Sequence, residues 1–351
     1  MKNLAIFFFA FLALCFSSGR EFKVDKDLVV AIGQLPNTTI DRSGGVQLVY
    51  GNGDSILYSC LNEKASDFLK PALIAVIPHV YTFATRGPQI AETTKGLIVT
   101  ACTSSGNIYS FYKEENDRWT KGGRVNDVDT VAKEGLTGLA ADGNSVFAVW
   151  LDLRGNRRNK IVGARSTDGG RTWSKNVLIY ASPDGTVCEC CKPSVVVKGN
   201  NVYVMFRNWL NGNRDLYLAQ SKDGGKTFSK PQKLGTGSWK LNGCPMDGGG
   251  LAVSRQGVVQ TVWQREGKIF AAASGKPERE IGTGRGCTVT VTNGKPVYAW
   301  TEKGEVVVLN SEGQKLVLGK GIQPIIKTKN NGEIVCVWEN EKQIRAALIS
   351  Q

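Results

Sequence analysis

The chain has 351 residues, with 44 Lys and Arg against 31 Asp and Glu, 41 glycines and 1 histidine. That length is long for one layered core but ordinary for a closed repeat structure, and the glycine content implies many turns rather than long helices. The formal charge of +13 favours anionic partners, yet the basic residues are scattered rather than in runs, which speaks against nucleic acid.

The first element is MKNLAIFFFAFLALCFSS, residues 1–18. One Lys, a short apolar block and then small residues describe a secretory signal peptide, because the block is too short to span a bilayer comfortably. Cleavage is expected between Ser17 and Arg20. The expected organisation is therefore a signal over 1–19 and one domain over 20–351, exported as a monomer to the periplasm or the medium. Lipid anchoring at Cys15 is the alternative; Leu14 stands where a small residue would be required for it. No other apolar run approaches this length, so no transmembrane segment is expected after processing.

A short run rich in β-branched and aromatic residues then recurs seven times: VQLVY from Val46, LIVTA from Leu97, VFAVW from Val146, VYVMF from Val202, VVQTVW from Val258, PVYAW from Pro296 and EIVCVW from Glu333. Each follows a candidate strand such as NTTIDR or PSVVVK and precedes another such as SILYSC or KIFAAA, with Gly and Asn turns between them. The copies are spaced by roughly 37 to 57 residues, a propeller-like period. Sheets that cannot bury two faces alone stack radially, so the pattern predicts an all-β propeller of four-stranded blades, seven favoured and six as the alternative. The last unit lacks a fourth strand, and DLVVAIG, Asp27 to Gly33, is left over at the other end to supply it and close the ring.

STDGGRTWSK, Ser166 to Lys175, returns as SKDGGKTFSK, Ser221 to Lys230, with the same residue at seven of ten positions. Asp168 and Asp223 are placed to accept backbone N–H bonds inside the turn. Gly169, Gly170, Gly224 and Gly225 permit positive φ, and Trp173 and Phe228 can pack between sheets. This turn resembles the Asp-box of the sialidase superfamily, also called the BNR repeat. In that fold it joins the third and fourth strands on the side away from the active site, so the resemblance makes it a matter of shape rather than catalysis.

The resemblance also implies a site on the opposite face, where the loops before each inner strand meet those between second and third strands. TFATRGPQI, with Arg86 and Pro88, is similar to the Phe-Arg-Ile-Pro signature whose Arg holds a sugar carboxylate, with Gly87 in place of the apolar residue. Arg207 in MFRNW and Arg285 in GRGCTV would complete a triad, since a guanidinium grips a carboxylate in a bidentate fork. Asp247 is a further candidate for substrate binding. Glu134 in AKEGLTG and Asp152 in WLDLRGN are the acid–base candidates, with Asp152 and Arg154 equally readable as a local ion pair. The Tyr nucleophile of a sialidase has no counterpart here, as Tyr298 lies in a middle strand where core packing is expected. The partner implied is an acidic carbohydrate or glycoconjugate, with exo-sialidase-type hydrolysis as its enzymatic form and a non-catalytic interaction scaffold as a rival. One histidine argues against a Ser-His-Asp hydrolase, and no phosphate loop or HExxH zinc site is present.

VCECCKPS, Val187 to Ser194, is the most unusual stretch, and Cys188, Cys190, Cys191, Cys244 and Cys287 all map to loops on the same face. In an exported protein they are expected to form disulfides, such as Cys191 or Cys188 to Cys244, stapling adjacent blades. Adjacent Cys190 and Cys191 point apart and so need different partners. The alternative is a metal or redox centre in which Cys188, Cys190, Cys191 and Cys244 hold Cu or Zn, with Asp247 or His79 assisting. Cys60, Cys102 and Cys336 fall on strands and are expected to be free thiols.

Overall fold

The computed structural model describes residues 21–62, 67–114 and 117–351. The expected signal segment and Cys15 lie outside them.

All regular structure among the described residues is strand. The strands form seven four-stranded antiparallel sheets. Six are built from consecutive strands, over residues 34–76, 89–124, 137–180, 194–233, 250–283 and 285–320. The seventh takes its three inner strands from 322–350 and its outer strand from Lys23–Ile32, which runs antiparallel to Gln343–Ser350 from Lys23↔Ser350 to Ile32↔Gln343. The leftover N-terminal segment thus closes the ring, and the blade number is seven rather than six. The inner strand Gln34–Ile40 of blade 1 lies against both Ile322–Thr328 of blade 7 and Gln89–Thr93 of blade 2.

The recurrent apolar run is the second strand of every blade. Ser145–Asp152 and Ile334–Asn340 are buried along almost their whole length rather than at alternate residues. A strand sandwiched between two neighbouring sheets has no solvent face, so its sequence loses the alternation of a half-buried strand. The core accordingly sits between blades. Val149 and Ile161 of blade 3 pack with Val204 and Phe206 of blade 4, and Leu48 and Tyr50 of blade 1 pack with Val335 and Val337 of blade 7.

The two Asp-box turns have the same wiring. Asp168 Oδ1 accepts the N–H of Arg171 at 3.1 Å and of Thr172 at 3.0 Å, and the Thr172 hydroxyl donates to Oδ2 at 2.6 Å. Asp223 receives Lys226 N–H and Thr227 N–H, each at 3.0 Å, and the Thr227 hydroxyl at 2.6 Å. Gly225 needs to be glycine twice over: its φ is +84°, and a Cβ there would lie 2.4 Å from the Phe147 ring of blade 3. Phe228 meets that same ring edge-on at 5.6 Å, and Trp173 donates its indole N–H to Ser110 of blade 2 at 3.2 Å. Each turn therefore locks its blade to the preceding one.

Candidate functional site

Backbone hydrogen bonds establish which loops share a face. The loop before each inner strand bonds to a loop or strand end at the second-to-third turn: Tyr81 N–H to Cys102 O, Leu153 N–H to Val131 O, Val187 N–H to Asn159 O, Arg214 N–H to Trp239 O, Gly284 N–H to Gly267 O and Gly321 N–H to Gly304 O. The Asp-box turns bond instead to the first-to-second turns, Gly169 N–H to Asn144 O and Gly224 N–H to Asn200 O. The expected division into a loop-rich face and an Asp-box face holds.

The central channel forms a cavity of about 210 Å³ lined by inner-strand residues of all seven blades. Its charged lining is Lys192 of blade 4, Asp247 before blade 5 and Lys327 of blade 7. Lys192 Nζ donates to Gln89 Oε1 at 2.8 Å, and Gln89 is itself held by Asn37 at 3.1 Å. Neither lysine forms an ion pair with a carboxylate among the described residues. Both are ringed by protein, although the channel lets solvent reach them. Burial, and then the charge of Lys327, bring the Lys192 ammonium down to about 8; burial lowers Lys327 as well. Asp247 does not neutralise them by side-chain contact, since its two oxygens accept Gly249 N–H at 3.1 Å and Gly286 N–H at 2.7 Å, tying blade 5 to blade 6. The Thr85 hydroxyl in the same wall is buried without a hydrogen-bond partner among the described residues.

The three arginines do not form one fork. Arg207 is 1% exposed, and its three guanidinium nitrogens donate to the carbonyls of Asp247, Arg214 and Gln264 at 2.9, 2.7 and 2.9 Å. A guanidinium so buried, with each nitrogen already bonded to a carbonyl, ties blade 4 to blade 5 and is not open to a ligand. Arg86 Nε donates to Glu134 O at 2.5 Å and its Nη2 lies 3.9 Å from the Glu134 carboxylate. Arg285 is exposed at the start of its strand and is not part of the channel lining. Of the carboxylates, Asp152 is fully buried, accepting Trp150 Nε1–H at 2.8 Å and Arg154 Nε–H at 2.8 Å, so the local ion pair is the arrangement found. Glu134 keeps partial exposure beside Arg86 and Asn159. Tyr298 is core.

Four of the five face cysteines are brought together. The disulfide is Cys190–Cys244, not one from Cys188 or Cys191, and it links the loops entering blades 4 and 5. Cys190 and Cys191 take different partners, Cys244 and Cys188, yet both sulfurs lie near Cys188 Sγ, Cys191 at 3.2 Å and Cys190 at 3.8 Å. Arg214 Nη1 donates to Cys188 Sγ at 3.1 Å, and its guanidinium stacks 4.4 Å over Trp209. The hydrogen bond between Cys188 and Cys191, with the charges of Arg214 and Arg207 behind it, overcomes burial and brings the Cys188 thiol down to about 6. Burial, and then Cys188, push Cys191 up. Two thiols beside a disulfide fall short of the three or four protein ligands of a zinc site, and Arg214 sets its positive charge against Cys188 where a cation would bind. His79 is outside the sulfur group, as is Asp247. Cys287 is buried and free, like Cys102 and Cys336; Cys60 is free and half-buried.

Ring, turn wiring and channel together define a seven-bladed β-propeller with Asp-box repeats. Residues 83–239 match the family described as BNR repeat-like domain. No curated protein matches it. Among solved structures it is similar to a catalytically inactive virginiamycin B lyase from Staphylococcus aureus with quinupristin, at 15% identity over 94% of this chain and 100% of that one, TM-score 0.58. It is similar to a polysaccharide lyase of the PL25 family, an ulvan lyase, at 11% identity over 94% of each chain, TM-score 0.56. The NanB sialidase of Streptococcus pneumoniae aligns at 13% identity over 93% of this chain and 70% of that one, TM-score 0.48. At such identities the likeness is one of fold. No helix among the described residues is long and apolar enough to cross a membrane.

Lys192 and Lys327 escape a sequence reading that looks for arginine motifs. The available signal was a lysine immediately after the cysteine cluster and another interrupting the inner-strand run PIIKTK.

Proposed function

We propose that this propeller recognises an anionic ligand, an acidic carbohydrate or glycoconjugate, through its central channel. One observation carries the reading: two lysines from opposite parts of the ring share a cavity whose one carboxylate, Asp247, is bonded to backbone N–H groups and pairs with neither. Bringing like charges together in a confined space is unfavourable unless an anion joins them. The Cys190–Cys244 disulfide supports an exported, oxidising setting.

Calorimetric titration with glucuronic acid and N-acetylneuraminic acid, and with glucose as the neutral control, tests the reading. Both acids are expected to bind and glucose not to. Lys327→Met and Lys192→Met should each weaken binding by tenfold or more. Affinity should also fall as pH rises through about 8, where Lys192 loses its proton. Equal affinity in wild type and both variants would end the reading.

Hydrolysis is the finer form of the reading, with Glu134, steadied by Arg86, as acid–base group. Release of fluorophore from a sialoside that disappears in Glu134→Gln while acid binding persists would mark an enzyme. No release above blank would leave a binding protein.

A further inference from the structure

We propose that Cys188, Cys191, Cys190 and Cys244 form a thiol–disulfide exchange centre, in which the disulfide moves between the exposed Cys190–Cys244 position and the buried Cys188–Cys191 position. Three of these sulfur atoms lie within 4.8 Å of one another. Cys188 is the hub: one disulfide sulfur lies 3.8 Å away and one free thiol 3.2 Å away on the other arm. Arg214, fixed by stacking on Trp209, donates a charged hydrogen bond to the Cys188 sulfur and so favours its anionic form. In sequence, Cys188 and Cys191 are the ends of a Cys-x-x-Cys unit, and Cys190 sits inside it. This is independent of whatever the lysines in the channel bind.

The exchange balances without an outside reagent. The Cys188 thiolate attacks Cys190 Sγ; the Cys188–Cys190 bond forms, the Cys190–Cys244 bond breaks, and the electron pair leaves on Cys244. Cys191 then attacks Cys188 Sγ and expels Cys190 as thiolate. The proton given up by Cys191 ends on Cys190 or Cys244. Two thiols are oxidised and one disulfide is reduced. The product has lost the covalent tie between blades 4 and 5 and shows a thiol on the surface, since Cys244 is exposed whereas Cys188 and Cys191 are fully buried.

Iodoacetamide added to the native, unreduced chain reads the exchange, because it captures Cys244 only after its disulfide has opened. Peptide mapping without reduction is expected to show Cys244 becoming alkylated over time in wild type, with the disulfide now within 188–191. In Cys188→Ser the rate of Cys244 labelling should fall at least tenfold. In Cys191→Ser the labelled chain should hold the Cys188–Cys190 intermediate. Melting curves confirm that each variant is folded. A Cys190–Cys244 bond that stays closed in wild type, or opens at the same rate without Cys188, would overturn the proposal. So would a stoichiometric zinc or copper ion purifying with the chain and holding the cysteines unreactive.

Discussion

At Asp168, partial burial works to raise the carboxyl, but the Ser166 and Thr172 hydroxyls and the N–H groups of Thr172 and Arg171 outweigh it and hold it down to about 2. The folded value is thus depressed. Its contribution to stability is complete above the unfolded value of about 3.9 and is lost as pH falls toward 2. Asp168→Ala should therefore lower stability by about 1–2 kcal/mol at neutral pH, the scale of hydrogen bonds to a charged acceptor. The gap between variant and wild type should close between about pH 4 and pH 2, as read by thermal unfolding. Side-chain chemistry alone does not distinguish such a carboxylate from a catalytic one. Asp152 shows the same: an aspartate in a loop on the site face is saturated by Trp150 and Arg154. Arg207, chosen by its place at a strand end, proves to be a buried tie among three carbonyls.

At the scale of the element, the second strand explains most of the fold and most of its recognisability. Trp150, with none of its surface exposed, ends one such strand and donates to Asp152. Trp300 and Trp338 occupy the matching places in blades 6 and 7 and donate to the carbonyls of Thr283 and Lys320. Replacing Trp150 by Ala removes a large side chain from between two sheets and takes one of two donors from Asp152 Oδ2, which keeps Arg154 Nη2 at 2.9 Å. A loss of about 3–5 kcal/mol in denaturant unfolding is expected from the cavity. The repeated strands were readable because burial on both faces leaves a dense apolar run, and the Asp-box because its wiring needs Ser, Asp, Gly and Thr at fixed offsets. The disulfide partner was not readable: three cysteines within four residues can each reach the facing loop, and only the local backbone path selects Cys190.

At the scale of the molecule, the ring is held shut by strand Lys23–Ile32, with Arg345 donating to Asp27 at 2.6 Å across the join. Deleting residues 21–32 would leave Gln343–Ser350 as an exposed edge with unpaired backbone groups. The shortened chain is expected to melt at a lower temperature and to aggregate, as seen by light scattering during a thermal ramp, whereas Arg345→Ala should change the melting temperature little, as surface ion pairs do.

The amino-acid sequence by itself determined the architecture of this protein: seven like sheets, their strand order, the closing segment and the face on which each turn lies. These depend on local patterns of burial, turn chemistry and repeat period, which are written in contiguous residues. Only the tertiary structure decided that Lys192 and Lys327 line one channel, that Arg207 is spent on backbone carbonyls, and that Cys188 stands between a thiol and a disulfide. Those groups lie on different blades or compete for the same neighbour. Ring closure fixes the distances between them, and distance sets which charges, donors and sulfur atoms can interact.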